Sequence, residues 1–190
     1  MPIPRSAVRR SNKIYTLTMT GVMAAVICVL SPMAIPIGPV PITLVNLSMY
    51  LALYLLGGRW GTLSCLVYVL IGAAGVPVFA GFTGGVGRLF GPTGGYIVGY
   101  LWMAIVAGLV IDKCRSRVLH FAGMTVGTAL CYGLGTLWYC VSMNSGVGAA
   151  LALCVLPFIP GDLVKMVLAI SVGPMLRNRL EKAGLLTGKV

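Results

Sequence analysis

The chain has 190 residues, of which 58% are hydrophobic and only 9% charged, and its mean hydropathy is +0.99. A soluble domain has about 45–50% apolar and about 25% charged residues, so this composition excludes an ordinary water-soluble domain, and disorder as well. We therefore predict an all-α integral membrane protein, with residues 1–190 forming a single membrane domain. The net charge of +11 does not indicate nucleic-acid binding, because the cations stand in short groups between apolar runs and not on one solvated face.

Six segments are apolar and long enough to cross a bilayer, whose core of about 30 Å takes about 20 helical residues. In chain order they are 14–34, 41–56, 62–79, 93–111, 118–141 and 160–179. The first is expected to end before a proline-rich corner, and the second to begin at Pro41, a favourable first-turn position. A tight basic turn is predicted at 57–61.

The sixth span is expected to begin at Pro160, because a proline inside a helix costs about 3 kcal/mol. Residues 146–159 would then form a short helix or a re-entrant connection at one membrane face. The first span is expected to be a retained helix and not a signal peptide.

The distribution of basic residues predicts the orientation. With six spans both termini lie on one side, and twelve of the fourteen cations fall on that side. They are Arg5, Arg9, Arg10, Lys13, Arg59, Lys113, Arg115, Arg117, Arg177, Arg179, Lys182 and Lys189. By the positive-inside rule both termini are cytoplasmic, including a basic segment over 1–13, and the outer loops are 35–40, 80–92 and 142–159.

The residues give no support for enzyme chemistry or a metal site. The six cysteines form no CxxC pair, and five of them lie in apolar runs, as expected of packing thiols. His120 is the only histidine and has no second ligand at metal-binding spacing. We therefore expect no catalytic residue, no metal, no cofactor and, without an ATP-binding motif, no self-powered pump.

Asp162 and Lys165 are candidate functional residues, because a charge at membrane depth costs about 2.5–3.5 kcal/mol at a helix centre. Their i, i+3 spacing places them on one helix face. Two interpretations stay open. The pair either satisfies itself, with the lysine reaching toward the interface, or forms a pocket that offers an acceptor and a cationic donor to a ligand.

A second candidate is the outer loop over 80–96, which holds seven glycines in seventeen residues together with Phe82, Arg88 and Phe90. It lacks the Gly-Lys-Ser/Thr ending of a phosphate-binding loop. Its glycines either let a helix begin tightly against its neighbours or form a lid over a partly apolar, anionic solute.

The first span contains small residues at helical spacing. Gly21 and Ala25 are four residues apart, and Ala24 and Cys28 repeat the spacing one residue on. Such a face lets another helix approach closely, either from the same chain or from a different membrane subunit.

Several motifs together resemble the BioY family, the biotin-specific substrate-binding (S) components of energy-coupling-factor (ECF) vitamin transporters, over residues 35–179. They are Pro39-Val40-Pro41-Ile42-Thr43-Leu44, Gly84-Gly85, Gly91-Pro92-Thr93-Gly94-Gly95-Tyr96 and Pro160-Gly161-Asp162-xx-Lys165. The resemblance implies six helices in the bacterial cytoplasmic membrane, capture of biotin from outside, and association with a transmembrane coupling subunit and two cytoplasmic ATPases, which would use the ATP. The small-residue face of the first helix would then meet the coupling subunit.

The resemblance also implies site residues. Asp162 and Lys165 match its acidic and basic positions, and the glycine loop matches its substrate-covering loop. We expect the biotin-binding residues to be Asp162, Lys165, Arg88, Phe82, Gly84, Gly85, Thr43 and Tyr96. A carboxylate can accept ureido N–H bonds and an ammonium can pair with the valerate carboxylate, although the motif leaves open which pole meets which residue.

One residue departs from the family pattern. Val45 stands where a glutamine is expected, so a polar contact is either absent or made by Asn46 or Thr43. Two alternatives remain beside biotin capture: an S component for another small carboxylated vitamin, and a membrane assembly subunit that binds no solute.

Overall fold

A computed structural model of the chain describes residues 5–35 and 40–183, with side chains from residue 14 onward. This part of the chain forms seven α-helices and two short strands. They are α1 (Arg5–Leu30), β1 (Ala34–Ile35), β2 (Ile42–Thr43), α2 (Val45–Ala73), α3 (Val86–Phe90), α4 (Gly94–Lys113), α5 (Arg117–Met143), α6 (Val147–Cys154) and α7 (Ile159–Lys182). The predicted corner at 36–39, the first four residues and Lys189 lie outside the described residues.

Helix α2 reverses direction at Gly57, whose backbone is non-helical at φ 80° and ψ 169°. The sulfur atoms of Met49 and Cys65 lie 3.7 Å apart although the residues are sixteen positions apart. A straight helix would separate them by about 24 Å. Segments 45–56 and 58–73 therefore pack side by side, and Gly57 supplies the positive φ that an L-residue resists.

Within the described part of the chain four helices are long and apolar enough to cross a membrane, namely α2, α4, α5 and α7, and the apolar part of α1 is the shorter Ile14–Leu30. The predicted class, a mostly helical membrane protein with several apolar helices, is confirmed. The count of six spans and the side on which the termini lie stay predictions.

The first segment of α2 lies in the middle of the bundle, with residues 52–58 all buried and with α1, α4 and α7 packed against α2. Tyr50 is fully buried, and its hydroxyl lies 2.6 Å from Thr128 Oγ1 on α5. The outward faces carry exposed large apolar side chains such as Val141, 80% exposed, and Leu137, 63% exposed. Such faces suit lipid as their solvent.

Two predicted helix ends were wrong because a small sheet replaces helix there. Helix α1 ends at Leu30, four residues early, and α2 begins at Val45 instead of Pro41. Between these ends Ala34 pairs with Thr43 and Ile35 with Ile42 in an antiparallel ladder. The pairing holds both peptides extended, so Pro41 does not begin a helix.

The predicted turn at 57–61 and the predicted span over 62–79 were also displaced. The turn is confined to Gly57, and the second segment of α2 starts at once and ends at Ala73. Gly75, at φ 104°, follows that end. The remaining helices α4, α5 and α7 agree with prediction within three residues at each end, and α6 fills the predicted short connection. Helix α3, inside the glycine loop, was not predicted.

Helices α2 and α4 cross at a glycine contact that forbids a side chain. A Cβ on Gly108 would lie 2.6 Å from the Gly58 Cα. We expect Gly108→Ala to lower the free energy of unfolding in detergent by about 1–3 kcal/mol through overpacking, measured as a fall in Tm. Gly133→Ala on α5, where the Cβ meets open space, has the same helix-propensity change and serves as the control. Equal stability of the two variants would contradict this contact.

Candidate ligand-binding site

Asp162, in the first turn of α7, is the centre of a buried polar cluster. Lys165 Nζ donates to its Oδ1 at 2.8 Å, and Asn46 Nδ2 and Tyr132 OH donate to its Oδ2 at 3.0 and 2.6 Å. Asp162 is 4% exposed and Lys165 8%. The predicted contact between the two charges is therefore present, and two further elements, α2 and α5, contribute to it.

This cluster has unused hydrogen-bonding capacity. Asn46 must turn its amide nitrogen toward the carboxylate, and its buried Oδ1 then has no partner among the described residues. Lys165 uses one of its three donors, on Asp162, and makes no other hydrogen bond in the described part of the chain. Because an unpaired buried polar group costs about 1–3 kcal/mol, the cluster is suited to a ligand that brings both a donor and an acceptor.

The local sequence explains how the cluster forms. Pro160 is placed where its missing N–H is not needed, and the Asp162 N–H donates to Phe158 O at 2.8 Å to close the first turn of α7. A carboxylate in this turn is stabilised by the positive end of the helix dipole.

Two cavities of about 30 Å³ each adjoin the cluster and share a wall. The shared wall is formed by Val40, Pro41, Thr43, Tyr96 and Tyr100. The first, here called the Asp162 cavity, also contacts Asn46, Tyr132, Asp162 and Lys165. The second, the Arg88 cavity, contacts Ser31, Tyr68, Phe79 and Arg88. A polar cluster and a cation thus lie at the two ends of one region with mainly aromatic and aliphatic walls.

Arg88 is a cation that has no carboxylate partner among the residues that the structure describes. Its Nε donates to Thr83 Oγ1 at 2.9 Å, and the Thr83 hydroxyl donates to Ala80 O at 3.0 Å. The three acids of the sequence are engaged elsewhere: Asp112 with Gly58 N–H, Asp162 with Lys165, and Glu181 with Arg177. The guanidinium therefore has terminal N–H groups available at the cavity for an anion.

The other predicted biotin-binding residues divide into two groups. Thr43 and Tyr96 line both cavities. Phe82 is 70% exposed, and neither it nor Gly84 nor Gly85 lines either cavity. The glycines shape the loop instead: a Cβ on Gly84 would collide with the Val76 carbonyl, and Gly85, at φ 95°, directly precedes α3.

The sequence interpretation missed Tyr132 and named Asn46 only as a replacement for a missing glutamine. Asn46 was marked by its polarity in an apolar helix, whereas Tyr132 carried no such signal. Val45 itself is 1% exposed and apolar, so Asn46 is the polar residue that the start of α2 contributes.

The small-residue face of α1 is split. Gly21 and Ala25 are exposed, and a Cβ on Gly21 would meet open space. Ala24 is 1% exposed and belongs to the core, and Cys28 is half-buried against it. Ala24 was therefore wrongly included in an outward docking face.

The remaining reactive groups have packing contacts. All six cysteines are free thiols, and burial raises the pKa of the Cys154 thiol on α6. The His120 Nδ1 lies 3.1 Å from Tyr54 OH and its Nε2 lies 2.8 Å from Cys114 O. Among the described residues no cluster of three metal-binding side chains occurs.

These features define a multi-pass helical membrane protein with a buried polar cluster between its helices. The sequence profile of the BioY family matches residues 6–182. The biotin transporter BioY of Thermotoga maritima is 38% identical over 162 residues, which cover 85% of this chain and 95% of that protein. Biotin transporter BioY2 of Lactococcus lactis is 36% identical over 173 residues, covering 90% and 95%. The chain belongs to the BioY family.

A solved structure has the same fold. The crystal structure at 2.1 Å of the S-component for biotin from an ECF-type ABC transporter superposes with a TM-score of 0.80 and 30% identity, covering 93% of this chain and 95% of that one. These relatives are named as transporters and not as enzymes, in agreement with the lack of catalytic groups expected from the sequence.

Proposed function

We propose that this chain captures biotin as the substrate-binding subunit of an ECF-type transporter. One observation carries the proposal: the Asp162 cluster has an unpaired acceptor on Asn46 and unused donors on Lys165. A ureido ring offers two N–H donors and one carbonyl acceptor. Asp162 and Asn46 accept from the ring, and Lys165 donates to its carbonyl.

The opposite pole of biotin meets Arg88. Lys165 and Asp162 touch each other, so they cannot contact the two ends of an elongated ligand, and the valerate carboxylate is placed in the Arg88 cavity. A guanidinium with free terminal N–H groups suits a carboxylate because the two planar groups match. Tyr96, Tyr100 and Phe79 supply walls for the apolar thiophane ring and chain.

Binding requires the shared wall to move. Each cavity holds about 30 Å³, far below the roughly 300 Å³ of the smallest usual ligand pockets. The wall includes Val40 and Pro41 beside β2, and the Arg88 cavity is bounded by Ala80 of the glycine loop. Displacement of this side of the bundle would join the two cavities and admit the ligand.

The proposed topology has six spans with both termini in the cytoplasm of a bacterial cell, and the membrane is the bacterial cytoplasmic membrane. The reversal at Gly57 supports six because it divides α2 into two antiparallel segments. The cations favour a cytoplasmic side for the termini. The partners are a transmembrane coupling subunit and two cytoplasmic ATPases, which supply the energy that a chain without an ATP-binding motif cannot.

We place the coupling-subunit contact on the exposed small residues of α1, Gly21 and Ala25. Replacing both by Leu should abolish co-purification with that subunit, because bulky side chains prevent close helix approach, and should leave biotin binding intact. Ala129→Leu with Gly133→Leu is a matched control, an exposed small pair of the same spacing on α5. Loss of co-purification in both double variants, or in neither, would count against this surface.

Equilibrium binding to the detergent-purified chain tests the function. Without ATP or partners, the chain should bind biotin, and excess thiamine or riboflavin should not compete. If another carboxylated vitamin competes and binds more tightly than biotin, this chain is instead the S component for that vitamin. Absence of saturable binding in folded protein would favour an assembly subunit.

A further inference from the structure

A cavity of about 330 Å³ lies between the start of α5 and the end of α7, apart from the site described above. It is lined by Arg117, Ser171, Pro174, Met175, Asn178, Arg179 and Lys182. Three of these seven side chains are cationic and none is acidic. No function considered above uses them.

The three cations are not neutralised within the described part of the chain. Arg117, Arg179 and Lys182 form no ion pair there, because Glu181, beside two of them, pairs with Arg177 at 3.0 Å. Arg117 is also the first residue of α5, where Ser116 makes no side-chain cap. A cation at the positive end of a helix is unfavourable. An anion in the cavity would therefore offset the repulsion among the three cations and the repulsion between Arg117 and the start of α5.

The other wall of the cavity is apolar and continues along α7. Pro174 and Met175 line it. The same face of α7 continues in steps of three to four residues from Met175 through Ser171 and Leu168 to Val164, with the exposed Val167 beside it. A molecule with an anionic head and apolar chains matches this sequence of surfaces, whereas a free anion or an acidic protein segment would leave the apolar stripe unused.

We propose that this cavity binds the phosphate headgroup of an anionic phospholipid, with the acyl chains lying along the α7 stripe. The placement rests on the proposed topology, in which the start of α5 and the end of α7 are at the cytoplasmic membrane surface. Basic pockets between helices at that surface recognise lipid headgroups through the same charge complementarity. The site is independent of biotin.

Two measurements on the full chain test the proposal, native mass spectrometry and thermal unfolding. Each is made with added phosphatidylglycerol, phosphatidylcholine or glycerol 3-phosphate. Phosphatidylglycerol should stay bound and raise Tm, and phosphatidylcholine should not. The triple variant Arg117→Gln, Arg179→Gln, Lys182→Gln should bind phosphatidylglycerol at least about tenfold more weakly, since each surface cation contributes to anionic-lipid attraction. The control Arg59→Gln, Lys113→Gln, Arg115→Gln removes the same charge from exposed residues outside the cavity.

If both triple variants bind phosphatidylglycerol equally more weakly, the effect is a general attraction between cations and anionic lipid, and the proposal is overturned. Binding of glycerol 3-phosphate as tight as that of the lipid would show a site for free phosphates instead. Binding of a poly-glutamate peptide to a chain that does not bind phosphatidylglycerol would show a protein-docking surface. Biotin affinity should be unchanged in both triple variants, which verifies folding and separates this result from any failure of the proposed function.

Discussion

Lys165→Met is expected to weaken biotin binding by about ten- to a hundredfold. The substitution removes the ammonium that holds Asp162 Oδ1 at 2.8 Å and leaves a buried carboxylate without its counter-charge. In the proposed complex Lys165 also donates to the ureido carbonyl, and a hydrogen bond to a charged group contributes about 1.5–3 kcal/mol, so Kd should rise by about ten- to a hundredfold. Isothermal titration of purified protein measures this directly.

The double variant Asp162→Asn, Lys165→Met separates a binding role from a structural one. Removing both buried charges is often neutral for stability, so the double variant should unfold near the wild-type Tm. If the pair binds the ureido ring, its biotin affinity should still be lower by about tenfold or more, since charge-assisted hydrogen bonds are lost. Wild-type affinity in the double variant would mean that the pair only satisfies itself.

Arg88→Gln is expected to weaken biotin binding by about ten- to a hundredfold, because a hydrogen bond to a charged group contributes about 1.5–3 kcal/mol. The affinity that is lost depends on the charge of the valerate carboxylate, which Arg88 contacts in the proposed complex. Wild-type protein should therefore bind biotin amide, which lacks that charge, more weakly than biotin, and Arg88→Gln should bind the two ligands with similar affinity. Competition with labelled biotin measures all four values.

The control for this comparison of two proteins and two ligands is Arg59→Gln, which removes a cation from an exposed position in the second segment of α2. It should keep the wild-type preference for biotin over the amide. If Arg88→Gln also keeps the full preference, another residue holds the carboxylate, and the pole assignment is wrong.

The parts of the site that sequence could predict are local ones. Asp162 and Lys165 stand three residues apart, so helical geometry alone brings their side chains together, and the cost of charges in a membrane makes them candidate functional residues. Asn46 and Tyr132 reach the same carboxylate from 116 and 30 residues away. Their meeting depends on how α2, α5 and α7 pack, which no spacing in the chain encodes.

The same distinction applies to the fold. Apolar length predicted α4, α5 and α7 closely because each lies between clear charged or glycine breaks. It misplaced the start of α2, because the pairing of Ile35 with Ile42 is a contact between segments. Likewise all the glycines at 57–61 suggested a turn, but of these only Gly57 takes a positive φ. Gly58 and Gly61 lie in helix and allow close contacts with Gly108 and Leu53.

The structure of the chain with biotin bound is the measurement that tests the central claim most directly. We expect the ureido ring within about 3 Å of Asp162, Asn46 Oδ1 and Lys165 Nζ, and the valerate carboxylate on Arg88 at a similar distance. The two cavities should be joined, with Tyr96 and Tyr100 against the apolar part of the ligand. A carboxylate bound to Lys165, or biotin bound outside these two cavities, would contradict the site proposed for this protein.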